Sequence, residues 1–140
     1  DNAVVAGNGT HTAEKKLGGT EINISGGSLI GHIVSNGYIA CGVYHPQEGA
    51  LNITGGTIYA EGGVGVLMRG GTMRMSDGGI IATGTASGKV GDSSVIANCY
   101  GVQLDRKCGY YASANSTVSI TGGKISADQG SSVLDLLKTE

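Results

Sequence analysis

Residues with chemistry to offer are few in this 140-residue chain, and they concentrate in one stretch, "CYGVQLDRKCGYYA" (99–112). Tyr100, Tyr110 and Tyr111 stand there beside Asp105, Arg106 and Lys107. Such tyrosines suit contact with a sugar or a protein surface, because the ring is apolar and its hydroxyl is a hydrogen-bond handle. The competing reading is that the rings cover the apolar underside of their own loop. Glycoside hydrolysis asks for two carboxylates about 5 or about 6.5–9.5 Å apart. Asp77 sits at a turn and Asp92, Asp105 and Asp128 are scattered, with Asp92 and Asp105 the pair that loops could bring together. His11, His32 and His45 stand apart from one another, and isolated histidines do not make a metal site, so neither metal nor cofactor is expected. The runs "GNG" and "GGVG" lack the strand-then-helix setting and the lysine of phosphate loops. Cys41, Cys99 and Cys108 form no CxxC. Cys41, in "IACGVY", reads as a buried and inert thiol, while Cys99 and Cys108 flank "YGVQLDRK" and either pair or remain thiols.

Composition narrows what can hold such residues in place. Glycine supplies 27 residues, Phe and Trp are absent, and charged residues make up 14%. With 39% hydrophobic residues and a net charge of −2, the chain can bury a core and is not of the disordered class. Nine Lys and Arg, dispersed, give no electrostatic footprint for nucleic acid. No apolar run approaches the ~20 residues of a membrane-spanning helix, so no membrane insertion is expected. Abundant Gly, Ile, Val, Thr and Ser suit a turn-rich all-β chain.

One eight-residue phrase then recurs: "INISGGSL" (22–29), "LNITGGTI" (51–58), "MRMSDGGI" (73–80) and "VSITGGKI" (118–125). Its first, third and eighth places are apolar, and alternation of period two marks a strand with one buried face. A Gly-Gly pair follows, where the chain turns; in the third copy Asp77-Gly78 takes that place, with Asp77 expected to tolerate the left-handed region. Three of the phrases are preceded by "GVYHP" (42), "GVLMR" (65) and "GVQLD" (101), which align Val43, Val66 and Val102 in one column and His45, Met68 and Leu104 in another of the same parity. Tyr44, Leu67 and Gln103 then alternate outward. "SVLDL" (132–136) repeats the register of "GVLMR", so the segment is read as a last strand rather than a helical cap. Spacings of 29, 22 and 45 residues separate the four phrases, and the longest is read as one turn of the repeat with looped material at 82–97 and 105–116.

A period of 20 to 25 residues, with short strands and glycine turns, signals a solenoid. The pattern resembles the right-handed parallel β-helix shared by pectate-lyase-like proteins, phage tailspikes and many bacterial surface adhesins. More closely, "GVYHPQEGALNITGGTI" followed by "GVGVLMRGGTMRMSDGGI" is similar to repeat proteins of gut Firmicutes and their phages, built of "GTLNISGGTI"-type units. The expected fold is therefore all-β: a single-stranded right-handed parallel β-helix of about five coils of about 22 residues. It would form one domain, with 1–20 as an N-terminal coil or cap, 21–129 as repeat coils, and 130–140 as a partial coil or cap. The ladder Asn23, Asn52, Arg74 and Ser119 lacks the carboxylate cluster that a pectate-lyase-like site implies. The expected function is a non-enzymatic structural or binding module of an extracellular, cell-surface or virion protein, such as a spike, fibre, decoration or adhesin segment. The alternatives are a polysaccharide lyase or hydrolase fragment and a carbohydrate-binding module. A glycan or protein contact is expected at Tyr44, Tyr100, Gln103, Asp105, Arg106, Tyr110 and Tyr111, and self-association or further domains are expected to cover open strand edges.

Overall fold

A computed structural model describes residues 4–5, 20–32, 37–45, 48–90, 96–105, 116–129 and 133–135. Among them there is no helix; every regular element is a strand. One sheet is five-stranded and wholly parallel, in the order β1 (Val4–Val5), β3 (Ala40–His45), β5 (Gly63–Met68), β10 (Val102–Leu104), β13 (Val133–Asp135). The second is six-stranded and contains the repeated phrase. Its long strands β2 (Thr20–His32) and β4 (Gly49–Glu61) lie side by side, and β4 then pairs with both β6 (Thr72–Met75) and β7 (Gly79–Ala82). These in turn pair with β11 (Thr117–Ile120) and β12 (Lys124–Ala127). The third sheet is an antiparallel pair, β8 (Ser87–Lys89) and β9 (Ile96–Asn98).

This corrects the expected architecture. The protein is all-β, but it is not a single right-handed parallel β-helix of about five coils; its strands divide into a curled half-barrel and separate smaller sheets, one of them antiparallel. The physical reason lies in what a sequence period can specify. Repetition of an alternating phrase dictates which strand lies beside which, because like residues must share a face. It does not dictate how the sheets close around the core, which depends on the unequal connections between them.

The local register does follow the repeat. Ile22 lies beside Leu51, Leu51 beside Met73, and Met73 beside Val118; Leu29, Ile58, Ile80 and Ile125 form a second column. On the facing sheet Val43, Val66, Val102 and Val133 are successive neighbours. Leu51, Ile53, Ile58, Met73, Met75 and Ile80 are fully buried against Val43, Val66, Met68 and Val102. Each such aliphatic side chain contributes roughly 1.5–3 kcal/mol on burial.

Glycine has two separate jobs in this packing. Gly27, Gly56, Gly78 and Gly123, the sixth residue of each phrase, have φ of 77°, 81°, 96° and 93°, a region open to glycine at little cost. No other residue type among those described has a positive φ. Asp77 therefore does not adopt the left-handed conformation expected of it; Gly78 does, and the Asp77 Oδ1 accepts the Gly78 N–H at 2.8 Å. Gly42 and Gly65, by contrast, are needed for space. A Cβ at Gly42 would run into Ile58 Cγ2 and the carbonyl of Gly65, and one at Gly65 into Ile80 Cγ2 and the carbonyl of Gly101. The glycine of the "GV" marker is where isoleucines of one sheet butt against the backbone of the other.

Candidate functional site

Of the residues proposed from sequence for ligand contact, Tyr44, Tyr100, Gln103 and Asp105 are among those described, and these four are buried or half-buried. Gln103, expected to face outward, is fully buried, as is Leu67 in the same column. The cause is the segment expected to be loop at 82–97. It contributes β8 and β9 and folds over the outer face of the five-stranded sheet, so that Ile39, Cys41, Val64, Leu67, Val90, Ala97 and Cys99 form a second apolar cluster there. Gln103 holds this cover down: its Nε2 donates to Ile96 O at 3.2 Å, and its Oε1 accepts the Asn98 N–H at 3.1 Å. Tyr44 is half-buried against the same cluster, and its hydroxyl accepts a hydrogen bond from Arg69 Nη1 at 3.0 Å. Tyr100 and Asp105 are half-buried, with the Asp105 carbonyl accepting from Ser116 Oγ at 2.8 Å. Arg106, Tyr110 and Tyr111 lie outside the described residues, as do Lys107, Cys108, Asp92 and His11.

The remaining reactive groups sit in structural settings. His45 is fully buried in the column of Met68, and its Nδ1–H donates to the Gly70 carbonyl at 3.1 Å. His32 is not alone, as the sequence suggested: the ladder puts it beside Glu61, with Nδ1 and Oε2 2.9 Å apart in an exposed pair. Burial pushes the Cys41 thiol up to about 12, in keeping with the inert role read for it. Cys99 is also raised, first by burial, against a hydrogen bond from its Sγ to the Ala86 carbonyl, and it carries no disulfide. Among the described residues no three His, Cys, Asp or Glu side chains stand together as a metal site.

What the fold does present is the outward side of the six-stranded sheet. A groove of about 470 Å³ runs across β2, β4, β6 and β11, lined by Asn23, Asn52, Arg74 and Ser119 with Thr54, Ser76 and Thr121 alongside. The in-register ladder explains this: Asn23, Asn52, Arg74 and Ser119 are successive neighbours, alternating with Ile53 and Met75 that anchor the same strands in the core. Asn52 Nδ2 donates to Asn23 Oδ1 at 3.0 Å, and Asn23 Nδ2 donates to Glu21 Oε1 at 3.0 Å. Thr72 and Thr117 share a hydroxyl–hydroxyl hydrogen bond of 2.9 Å at the groove's flank. Arg74 is exposed, and among the described residues no hydrogen-bond or ion-pair partner holds its guanidinium. The ladder is visible in the sequence as an aligned row of Asn23, Asn52, Arg74 and Ser119 without a carboxylate. No protein-family model, curated protein or solved structure matches the chain.

Proposed function

We propose that this chain is a non-enzymatic structural and binding module of the kind that a cell-surface or virion protein carries in a spike, fibre, decoration or adhesin. The observation that carries this reading is the groove across β2, β4, β6 and β11: amides, hydroxyls and a guanidinium set at strand spacing, over apolar residues that are fully buried in β4 and β6. Such a surface recognises by position. Its side chains offer hydrogen bonds, and among the described residues no pair of carboxylates lines it for acid–base work. The test is a glycan array combined with incubation against polyuronates and neutral glycans. Retention without cleavage supports the module; turnover that disappears in Asp105→Ala or Asp92→Ala sinks it in favour of a lyase or hydrolase.

The same reading includes partners at the sheet edges. Among the described residues nothing pairs with the outer edges of β11 and β12. Ile120 there is 40% exposed, whereas its ladder neighbour Met75 is 1% exposed. An open edge with its apolar column uncovered is a surface for further domains of the same protein or for another copy. Native mass measurement over a concentration series checks this: a chain that stays monomeric throughout argues for closure by its own residues.

A further inference from the structure

We infer that the edge formed by β11 and β12 takes up an extended peptide segment with the pattern of the repeated phrase, added as a parallel strand. The inference rests on the reading of that edge as a partner surface and names what the partner must present. The two main sheets are not matched at this end. In chain order β1 leads to β2, β3 to β4, β5 to β6 and β7, and β10 to β11 and β12. Each step goes from a strand of the five-stranded sheet to its counterpart in the six-stranded sheet. β13 then continues the five-stranded sheet one strand beyond β10, and among the described residues it has no counterpart beside β11 and β12. The edge is one strand short of the sheet it faces.

Burial along the inward columns reports the same shortfall. Met73, Met75 and Ile80 are 0%, 1% and 0% exposed, whereas their neighbours Val118 and Ile125 are half-buried and Ile120 is 40% exposed. At the opposite edge Ile24, which holds the place of Ile120 in its own phrase, is 8% exposed. The shortfall belongs to one end. The backbone there is directed outward as well. Thr117, Thr121, Lys124 and Asp128 donate their N–H groups to the strands behind them. The intervening Val118, Ile120, Ile125 and Ala127 turn N–H and C=O the other way, because successive residues of a parallel strand bond to alternate sides.

These features specify the occupant. A strand added in register sets its first, third and eighth places beside Val118, Ile120 and Ile125, where apolar side chains complete the columns. Its sixth place calls for glycine, since a Cβ at Gly56, Gly78 or Gly123 would already meet the backbone of the neighbouring phrase. Two exposed charges then discriminate among such segments. Lys124 stands at the seventh place, and Asp128 at the eleventh, in the column of His32, Glu61 and Thr83. A carboxylate at the seventh place and a cation at the eleventh are favoured, because opposite charges side by side on a sheet attract. β2 itself meets most of these demands, with Ile22, Ile24, Gly27, Leu29 and, at the eleventh place, His32.

Fluorescence anisotropy of the full chain with a labelled peptide of the β2 sequence, TEINISGGSLIGH, tests the inference. That peptide should bind, and a scrambled peptide of the same composition should not. A peptide carrying Ser28→Glu and His32→Lys should bind about three- to tenfold more tightly than one carrying Ser28→Lys and His32→Glu, although their compositions are identical. The gap should narrow as salt rises toward about 1 M. Hydrogen exchange should slow at Val118, Ile120, Ile125 and Ala127 when peptide is bound. Ile120→Asp in the chain should weaken binding about tenfold or more, by setting a charge in the apolar column. An unchanged circular dichroism spectrum checks that this variant stays folded. Asp128→Asn keeps an oxygen for the Gly84 N–H, which Asp128 Oδ2 accepts at 2.9 Å, and should shrink the gap between the two charged peptides. Equal binding of the scrambled peptide, protection confined to other strands, or indifference to Ile120→Asp overturns the inference. A chain that self-associates in native mass measurement yet ignores the peptide overturns it while the reading of the edge stands. A chain that stays monomeric and ignores the peptide sinks both.

Discussion

Gly65→Ala is the substitution that most directly tests how the two main sheets meet. Gly65 lies in β5 between β3 and β10, and an added Cβ would come closer than 3.0 Å to both Ile80 Cγ2 and the Gly101 carbonyl. The side chain has rotamers to try; the carbonyl belongs to a hydrogen-bonded ladder. Relief at the carbonyl must separate β5 from β10 where Gly65 N–H donates to Tyr100 O at 2.9 Å and Val66 N–H to Gly101 O at 2.8 Å. Overpacking costs about 1–3 kcal/mol, and weakening two backbone hydrogen bonds adds about 0.5–1.5 kcal/mol each. The expected loss is roughly 2–6 kcal/mol, a large share of the ~5–15 kcal/mol typical of a domain. Urea unfolding followed by far-UV circular dichroism measures it, with an unchanged m-value as the check that only stability moved. Gly26→Ala is the control: no atom lies within 4 Å of its Cβ and its φ is not positive, so a change within about 1 kcal/mol is expected. A second arm assigns the cause. If the carbonyl dominates, Gly65→Ala and Ile80→Ala should add within about 0.5 kcal/mol; if Ile80 Cγ2 dominates, the double variant should recover more than that. A Gly65→Ala loss below about 1 kcal/mol would refute the close approach of the two sheets.

Gln103→Ala should cost about 1–3 kcal/mol by stranding the Asn98 N–H and the Ile96 carbonyl; hydrogen exchange should show β9 losing protection before β5 does. Ile53→Ala, at a fully buried position of the repeated phrase, should cost about 2–5 kcal/mol in the same urea assay. The folded protein should resist alkylation at Cys41 at pH 8 and become labelled on denaturation, because burial raises that thiol to about 12 from 9.0. The sign of its linkage follows: the neutral thiol is favoured by the fold, so this contribution is complete below about pH 9 and is lost as pH rises toward about 12. A urea midpoint that rises between those pH values in wild type relative to Cys41→Ala would contradict that assignment.

Much of the register was legible in the sequence because it rests on short-range chemistry. Ile22, Leu51, Met73 and Val118 share a column because β-strands alternate faces and like residues pack best beside like. The glycine at the sixth place of each phrase was legible for a similar reason, since a backbone with φ of 77° to 96° excludes most other residues. The groove itself was visible as an aligned row of Asn23, Asn52, Arg74 and Ser119. Tertiary structure decided the rest. Gln103 and Leu67 occupy the alternate face, as their parity required, yet that face is dry because β8 and β9 fold over it. His32 meets Glu61 across a 29-residue separation that no local pattern announces. The division into a curled half-barrel and separate sheets, in place of one uniform coil, likewise follows from the connections. Alternation tells a residue which side of its strand to take; only the path of the distant chain determines whether that side meets water.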